Sequence, residues 1–453
     1  MHIDQTDRRV LKTLISFSIP YLLSCLLQTL YGMADLLIIG QFNGVESTTA
    51  VSVGSQIMHM ITVMIVGLAM GSTVLIGKSV GAKRQELTSC AIGNTVSLFL
   101  MVSVAFTVIL ILAVKPIVSV MSTPAEAVPG AITYLTICFL GVPFITAYNI
   151  ICSIFRGMGD SKSPMFFVAI ACVFNIALDY LFIGVFHLAA AGAALGTTVA
   201  QALSVVISIA LIKRKKMQIS LTRKNLRPRK SVMHEILRVG IPVALQDGLI
   251  QISFLLITIF ANQRGLQDAA ATGVVEKIIG VLFLVPSSML SSVSALSAQY
   301  IGAEQHMLAR KTLRYAIVIA VGFGCAFSIV MQFAAESVVG LFVQDATVIR
   351  MGGQYLRPYV WDCVFAGVHF SLSGYFCAYG LSGISFLHNV ISSLAARIPL
   401  SYYGAHNFPD TLFPMGLAPV VGSLLSVIIC GIAYIWFRKK GIAERSVINA
   451  DER

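Results

Sequence analysis

The chain has 453 residues, of which 57% are hydrophobic and 11% charged, with a mean hydropathy of +0.85. A soluble domain carries about 25% charged residues, so this composition excludes a soluble enzyme, a nucleic-acid-binding module and a disordered chain. The formal charge of +12 therefore bears on membrane orientation rather than on nucleic acid.

A membrane helix needs roughly 20 apolar residues, and the apolar complement suffices for about a dozen. The polar N-terminus, Met1 to Val10, lacks a cleavable signal pattern, and the first apolar run reads as a retained helix. Apolar runs follow one another at 12–40, 50–77, 88–114, 130–155, 164–186, 190–212, 236–262, 270–299, 312–334, 351–378, 383–403 and 412–437. They predict an all-α integral membrane protein with twelve transmembrane helices. The basic residues support that count. With both termini cytoplasmic, 26 of the 32 lysines and arginines fall on the cytoplasmic side, as the positive-inside rule requires. The outer loops keep Lys115, Arg264, Arg350 and Arg357.

The one long connector, 213–235, holds nine basic residues and no acid between Lys213 and Lys230. It reads as a topology anchor beside anionic headgroups. It divides the chain into an N-terminal lobe (1–212, spans one to six), a C-terminal lobe (236–437, spans seven to twelve) and a tail (438–453). The halves repeat. Ser18-Ile19-Pro20 matches Gly240-Ile241-Pro242, Gly81-Ala82 matches Gly302-Ala303, and Tyr134-Leu135 matches Tyr355-Leu356. Gly159 and Ser161 match Gly380 and Ser382, all at an offset of 221 or 222. Six spans per half give both halves one orientation. The expected architecture is two six-helix lobes related by a pseudo-two-fold axis along the membrane normal, with a cavity between them. That arrangement points to alternating access.

Few charges lie inside the spans: Asp35, Asp179, Asp247, Glu276, Lys277, Asp362 and Arg397. Each costs at least about 2.5–3.5 kcal/mol at a helix centre, so such residues face a bundle interior or a wet cavity. Asn175 and Asp179 stand at i and i+4, on one helical face, where an amide can orient a carboxylate. The repeat places Ile257 opposite Asp35 and Leu400 opposite Asp179. The lobes thus share a frame and differ in chemistry, which favours a functional role for the two carboxylates. A cavity carboxylate can load a proton on one side and release it on the other. A cationic substrate or sodium competes for the same charge, and exchange follows from mutual exclusion.

Asp362, Asp247, Glu276 and Lys277 are candidate cavity residues of the second half, whereas Arg397 reads as a brace. His59, His369 and His388 are lone and read as satisfied interior residues. The nine scattered cysteines and 17 methionines read as packing. No metal-ligand spacing occurs. The stretch from Gly71 to Ser79 imitates a phosphate loop, but has five residues between its glycines and ends a membrane helix.

Met33-Ala34-Asp35, Gly40-Gln41, the two Ile-Pro starts and Arg397-Ile398-Pro399 resemble the multidrug and toxic compound extrusion (MATE) family, of the bacterial and archaeal type. So do the stretch from Arg156 to Lys162 and Asn175-Ile176-Ala177-Leu178-Asp179. The resemblance implies a secondary active exporter that exchanges amphipathic, cationic compounds for inward H+ or Na+. It implies no cofactor beyond the coupling ion, no enzymatic chemistry and no nucleic-acid partner. Its partners would be small-molecule organic cations or amphipathic drugs and membrane lipids, and the protein would be a monomer in a prokaryotic plasma membrane. By the same resemblance Asp35, Asn175 and Asp179 form the coupling-ion site, with Na+ possible at the two carboxylates. Tyr134, Asn149, Thr197 or Thr198, and Gln201 are its neighbours. Pro20 resembles the family's first-helix hinge. Asp362 is similar to an acidic residue of a second-lobe cation site in another branch. The partner expected in span seven is not cleanly matched: Gln251 lies near that position and Asp247 one turn away. The alternative reading, a lipid-linked-glycan flippase of the same superfamily, calls for a basic cavity, and the charges within these spans are mostly acidic.

Overall fold

In the computed structural model, residues 5–121, 123–214, 222 and 224–439 are described. Part of the basic connector (215–221 and 223) and the tail beyond 439 lie outside them. The described chain is helical throughout, without a strand. This follows from the solvent: in hydrocarbon every backbone amide must be satisfied internally, and a helix does so within one segment.

The first half contains α1 (Gln5–Phe42), α2 (Val45–Gly81), α3 (Gln85–Val120), α4 (Val128–Leu140), α5 (Val142–Gly157), α6 (Lys162–Asp179) and α7 (Ala189–Arg214). The second contains α8 (Lys230–Gln263), α9 (Leu266–Leu282), α10 (Leu284–Gly302), α11 (His306–Gly340), α12 (Ala346–Tyr359), α13 (Asp362–Ala378), α14 (Ser382–Ser392), α15 (Ile398–Asn407) and α16 (Phe413–Lys439).

Nine rods among the described residues are long and apolar enough to cross a membrane, and the pair α4–α5, bent by 50° at Gly141, makes a tenth. Two further rods, 346–378 and 382–407, are interrupted, the first at Val360-Trp361 and the second by a π-helical stretch at Ser393–Arg397. Together these rods are the twelve helices expected, six in each half. Span five also carries a π-helical stretch, Tyr180–Val185, directly after Asp179. Such stretches re-aim the side chains around them and concentrate at functional sites.

Two compact units emerge. One gathers Ile19–Gly240, and the other gathers the residues up to Ser18 together with those from Ile241 onward. The units divide inside α1 and α8, two residues before Pro20 and Pro242. Both helices continue through their prolines, each of which removes one backbone donor. The Ser24 hydroxyl donates to the Pro20 carbonyl at 2.8 Å. In the second unit the first segment of α1 is tied down by Ser18, which donates to Ser292 at 2.9 Å, and by an Asp7–Lys311 ion pair at 2.7 Å.

The turn between spans four and five explains the stretch Arg156 to Lys162. Gly159 adopts φ +86, a left-handed value that favours glycine. Asp160 then accepts from the Lys162 and Ser163 amides at 2.9 and 3.0 Å, satisfying the open start of α6. Its other oxygen accepts from the Ser163 hydroxyl at 2.6 Å. The repeat copy Gly380 has φ +78. Arg264 performs a comparable task in the second unit. Its guanidinium pairs with Asp268 at 2.7 Å and donates to the carbonyls of Gly404, Ala405, Phe408, Pro409 and Thr411. It thereby fastens the turn after α15.

Candidate functional site: a buried carboxylate pair

The first-half site is built on three helices. Asp35 lies late on α1, Asn175 and Asp179 lie one turn apart at the end of α6, and α7 closes over them. Burial is nearly complete: Asp35 is 4% exposed, Asn175 2% and Asp179 0%. The side chains of Asp35 and Asp179 are close enough to interact directly. Thr197 donates to Asp35 Oδ2 at 3.3 Å, and the Asn175 amide donates to the Thr197 hydroxyl at 3.5 Å. Helix rotation thus decides between the two threonines. Thr197 faces the carboxylates, whereas Thr198 packs against Gly141.

Among the described residues, no amide or hydroxyl group donates to Oδ1 of Asp35, to either oxygen of Asp179 or to Oδ1 of Asn175. Four buried acceptor oxygens of these three side chains are thus left without a donor. Buried acceptors in that state call for a bound partner, and two neighbouring carboxylates call for a positive one. A proton or a small oxygen-liganded cation fits this donor set. Among the described residues no cluster of three or more His, Cys, Asp or Glu is arranged for a metal ion.

The sequence reading missed two residues of this site. Gly196 is the floor under Asp179. A Cβ built there would overlap Asp179 Oδ1 and lie 3.2 Å from its carboxyl carbon. Only a residue without a side chain lets α7 approach so closely, and in a run of Gly and Ala nothing marks this glycine out. Tyr31 stands one helical turn before Asp35, near its carboxylate, and bonds to Gln201. Its i, i+4 spacing from Asp35 was a usable signal. Of the other expected neighbours, Tyr134 lies within electrostatic reach of Asp35 and bonds to Ser55 at 3.2 Å. Asn149 instead donates to the Ile145 carbonyl of its own helix at 2.8 Å.

The acids of the second half are distributed. Asp362 accepts from Arg397 at 3.5 Å, with side chains 1% and 8% exposed. Arg397 also reaches Ser423 at 3.4 Å and sits 5.7 Å above the Phe254 ring. Glu276 accepts from Thr258 at 3.2 and 3.4 Å, and Lys277 points outward, exposed. Tyr355 and Tyr359, with ring centres 5.3 Å apart, lie near both Glu276 and Asp362. Asp247 is half-buried near Cys377, and Gln251 is half-buried one turn further along α8. His388 bonds to Ser373 at 2.9 Å. His369 stacks edge-on with it at 5.4 Å, and no described group bonds to its ring nitrogens. Nineteen residues apart in sequence, the two histidines gave no sign of being a pair.

Known proteins resemble this chain in sequence and in fold. The family model MatE fits residues 20–181 and again residues 242–403, one copy in each half. The chain is 28% identical over 399 residues to "Probable multidrug resistance protein YpnP" of Bacillus subtilis, covering 88% of this chain and 89% of that one. It is 25% identical over 376 residues to the multidrug export protein MepA of Staphylococcus haemolyticus, covering 83% and 82%. The crystal structure of a Vibrio cholerae MATE transporter, VcmN, superposes with a TM-score of 0.90 at 19% identity, over 97% of this chain and 100% of that one. With one family model satisfied twice along a single chain of twelve membrane helices, this protein belongs to the MATE family.

Proposed function

We propose that this chain is a secondary active exporter that exchanges amphipathic, cationic small molecules for inward H+ or Na+ by alternating access. The similarity to proteins named for multidrug resistance and export supports the substrate class. The observation that carries the coupling role is the buried Asp35–Asp179 pair, three of whose four carboxylate oxygens, like the Asn175 oxygen beside them, receive no hydrogen bond.

Asp35 and Asp179 hold the coupling cation. Thr197 holds Asp35 in place, and Asn175 orients Thr197 while offering its own oxygen to the site. In so dry a place two negative charges repel, and one bound cation relieves the strain. Binding the ion in one conformation better than in the other shifts the population between them. Pro20 lies four turns below Asp35 on the same helix, and its broken hydrogen-bond ladder is the place for α1 to bend. The protein works as a monomer in the plasma membrane with both termini cytoplasmic.

The test is transport of a fluorescent organic cation in proteoliposomes under separate pH and sodium gradients. Wild type should respond to one gradient, and Asp35→Asn and Asp179→Asn should each abolish the response. Normal transport by both variants under either gradient would remove the pair from the mechanism. Loss confined to Asp362→Asn would move coupling to the second half.

A further inference from the structure

Residues 225–229, near the end of the connector, form a fastened strap. In α3, Asn94 is 0% exposed. Its amide donates to the Asn225 carbonyl at 3.3 Å, and its oxygen accepts from the Arg229 amide at 2.6 Å. One turn on, Ser97 donates to the Leu226 carbonyl at 2.6 Å. Gly93 leaves room for the strap: a Cβ there would overlap the Asn225 carbonyl. Three hydrogen bonds from one helix thus fix the backbone of 225–229. That geometry presents Lys224, Arg227, Arg229 and Lys230, all exposed, within seven residues that contain no acid.

Helix α3 has 36 residues, about 54 Å at 1.5 Å per residue, and so is longer than a hydrocarbon layer of about 30 Å. Beside the strap Val96, Leu100 and Leu226 are exposed apolar residues, at 38%, 62% and 39%. The strap thus sets four exposed basic side chains next to exposed apolar surface. Lys and Arg near an anionic leaflet attract its headgroups, and here their spacing is set by the protein.

We infer that the strap 224–230 is a built binding site for anionic phospholipid headgroups of the bilayer, with Asn94 and Ser97 shaping it. The full-length protein in neutral detergent would be given phosphatidylglycerol or phosphatidylcholine. Binding would be counted by native mass spectrometry and stabilisation read from the melting temperature. Wild type should bind phosphatidylglycerol preferentially and melt higher with it. A variant combining Lys224→Gln, Arg227→Gln, Arg229→Gln and Lys230→Gln should lose at least tenfold in apparent affinity for that lipid. Its response to phosphatidylcholine should not change.

Ser97→Ala and Asn94→Ala keep all four charges, yet should each weaken the preference several-fold. Ser97→Ala removes a single bond, and so reads the geometry even if Asn94→Ala fails to fold. Full preference in the neutralised variant would overturn the proposal, because the lipid would then bind elsewhere. Full preference in Ser97→Ala would also overturn it, because charge alone would suffice. Equal stabilisation by glycerol phosphate would overturn it in favour of a free-phosphate site.

Discussion

Gly196→Ala is the sharpest probe of the carboxylate pair, because it adds one carbon and removes no charge or hydrogen bond. The added Cβ would overlap Asp179 Oδ1 and press on the carboxyl carbon at 3.2 Å. Either the carboxyl group rotates off its position or α7 retreats. Overpacking of this kind costs about 1–3 kcal/mol. Set against cation binding, that is a loss of about 5- to 150-fold in affinity at 1.36 kcal/mol per decade. The assay is transport in proteoliposomes as a function of coupling-ion concentration, with the melting temperature measured alongside. The half-saturating ion concentration should rise by at least fivefold. Gly192→Ala is the control. One turn earlier on α7, its Cβ would meet the Phe182 carbonyl carbon at 3.0 Å and the Ile183 side chain at 3.1 Å. It should lower stability comparably and leave the ion dependence alone. If folded Gly196→Ala protein shows wild-type ion dependence, the placement of Asp179 in the ion site is wrong.

Other substitutions separate the site from its scaffold. Thr197→Val removes the donor to Asp35 and should weaken ion dependence by several-fold, about 1 kcal/mol for one hydrogen bond. Thr198→Val should leave the same transport curves unchanged. Arg397→Ala leaves the Asp362 carboxylate buried without its counter-ion, which costs about 3–5 kcal/mol. Its melting temperature should fall far below wild type, and Arg397→Ala with Asp362→Asn should recover much of the loss. Arg264→Lys exchanges a five-donor fork for a point charge. It should lower the melting temperature by several degrees without changing the half-saturating concentration of the transported cation.

What could be read in advance followed from solvent and repetition. Long apolar runs in a charge-poor chain leave only membrane helices, and matched Ile-Pro, Gly-Ala and Tyr-Leu pairs expose the duplication. Asn175 and Asp179 were legible as a face because helical spacing places them so. The finer geometry depended on helix rotation and on contacts across hundreds of residues. Spacing alone could not choose Thr197 over Thr198, because adjacent residues differ by about 100° about an axis whose rotation only packing sets. Asn149 had the right chemistry, yet its amide turns to Ile145 in its own helix. The stretch from Arg156 to Lys162, the most specific part of the resemblance, contains a turn and a helix cap at Gly159 and Asp160. Gly196 was invisible because its contribution is the absence of a side chain.

The division of the units inside α1 and α8 bears on how such a chain could have arisen. Neither half of the polypeptide encodes a whole unit: the first lends residues up to Ser18 to the other, and in return takes the opening of α8 up to Gly240. A single ancestral repeat, made as a free six-helix chain, would have been incomplete alone. It would have closed only by exchanging its leading segment with a second copy, as a segment-swapped dimer. Joining two copies through a connector would make that concentration-dependent exchange an intramolecular one. Two half-chains expressed separately should accordingly be unstable apart and recover their folding only when made together.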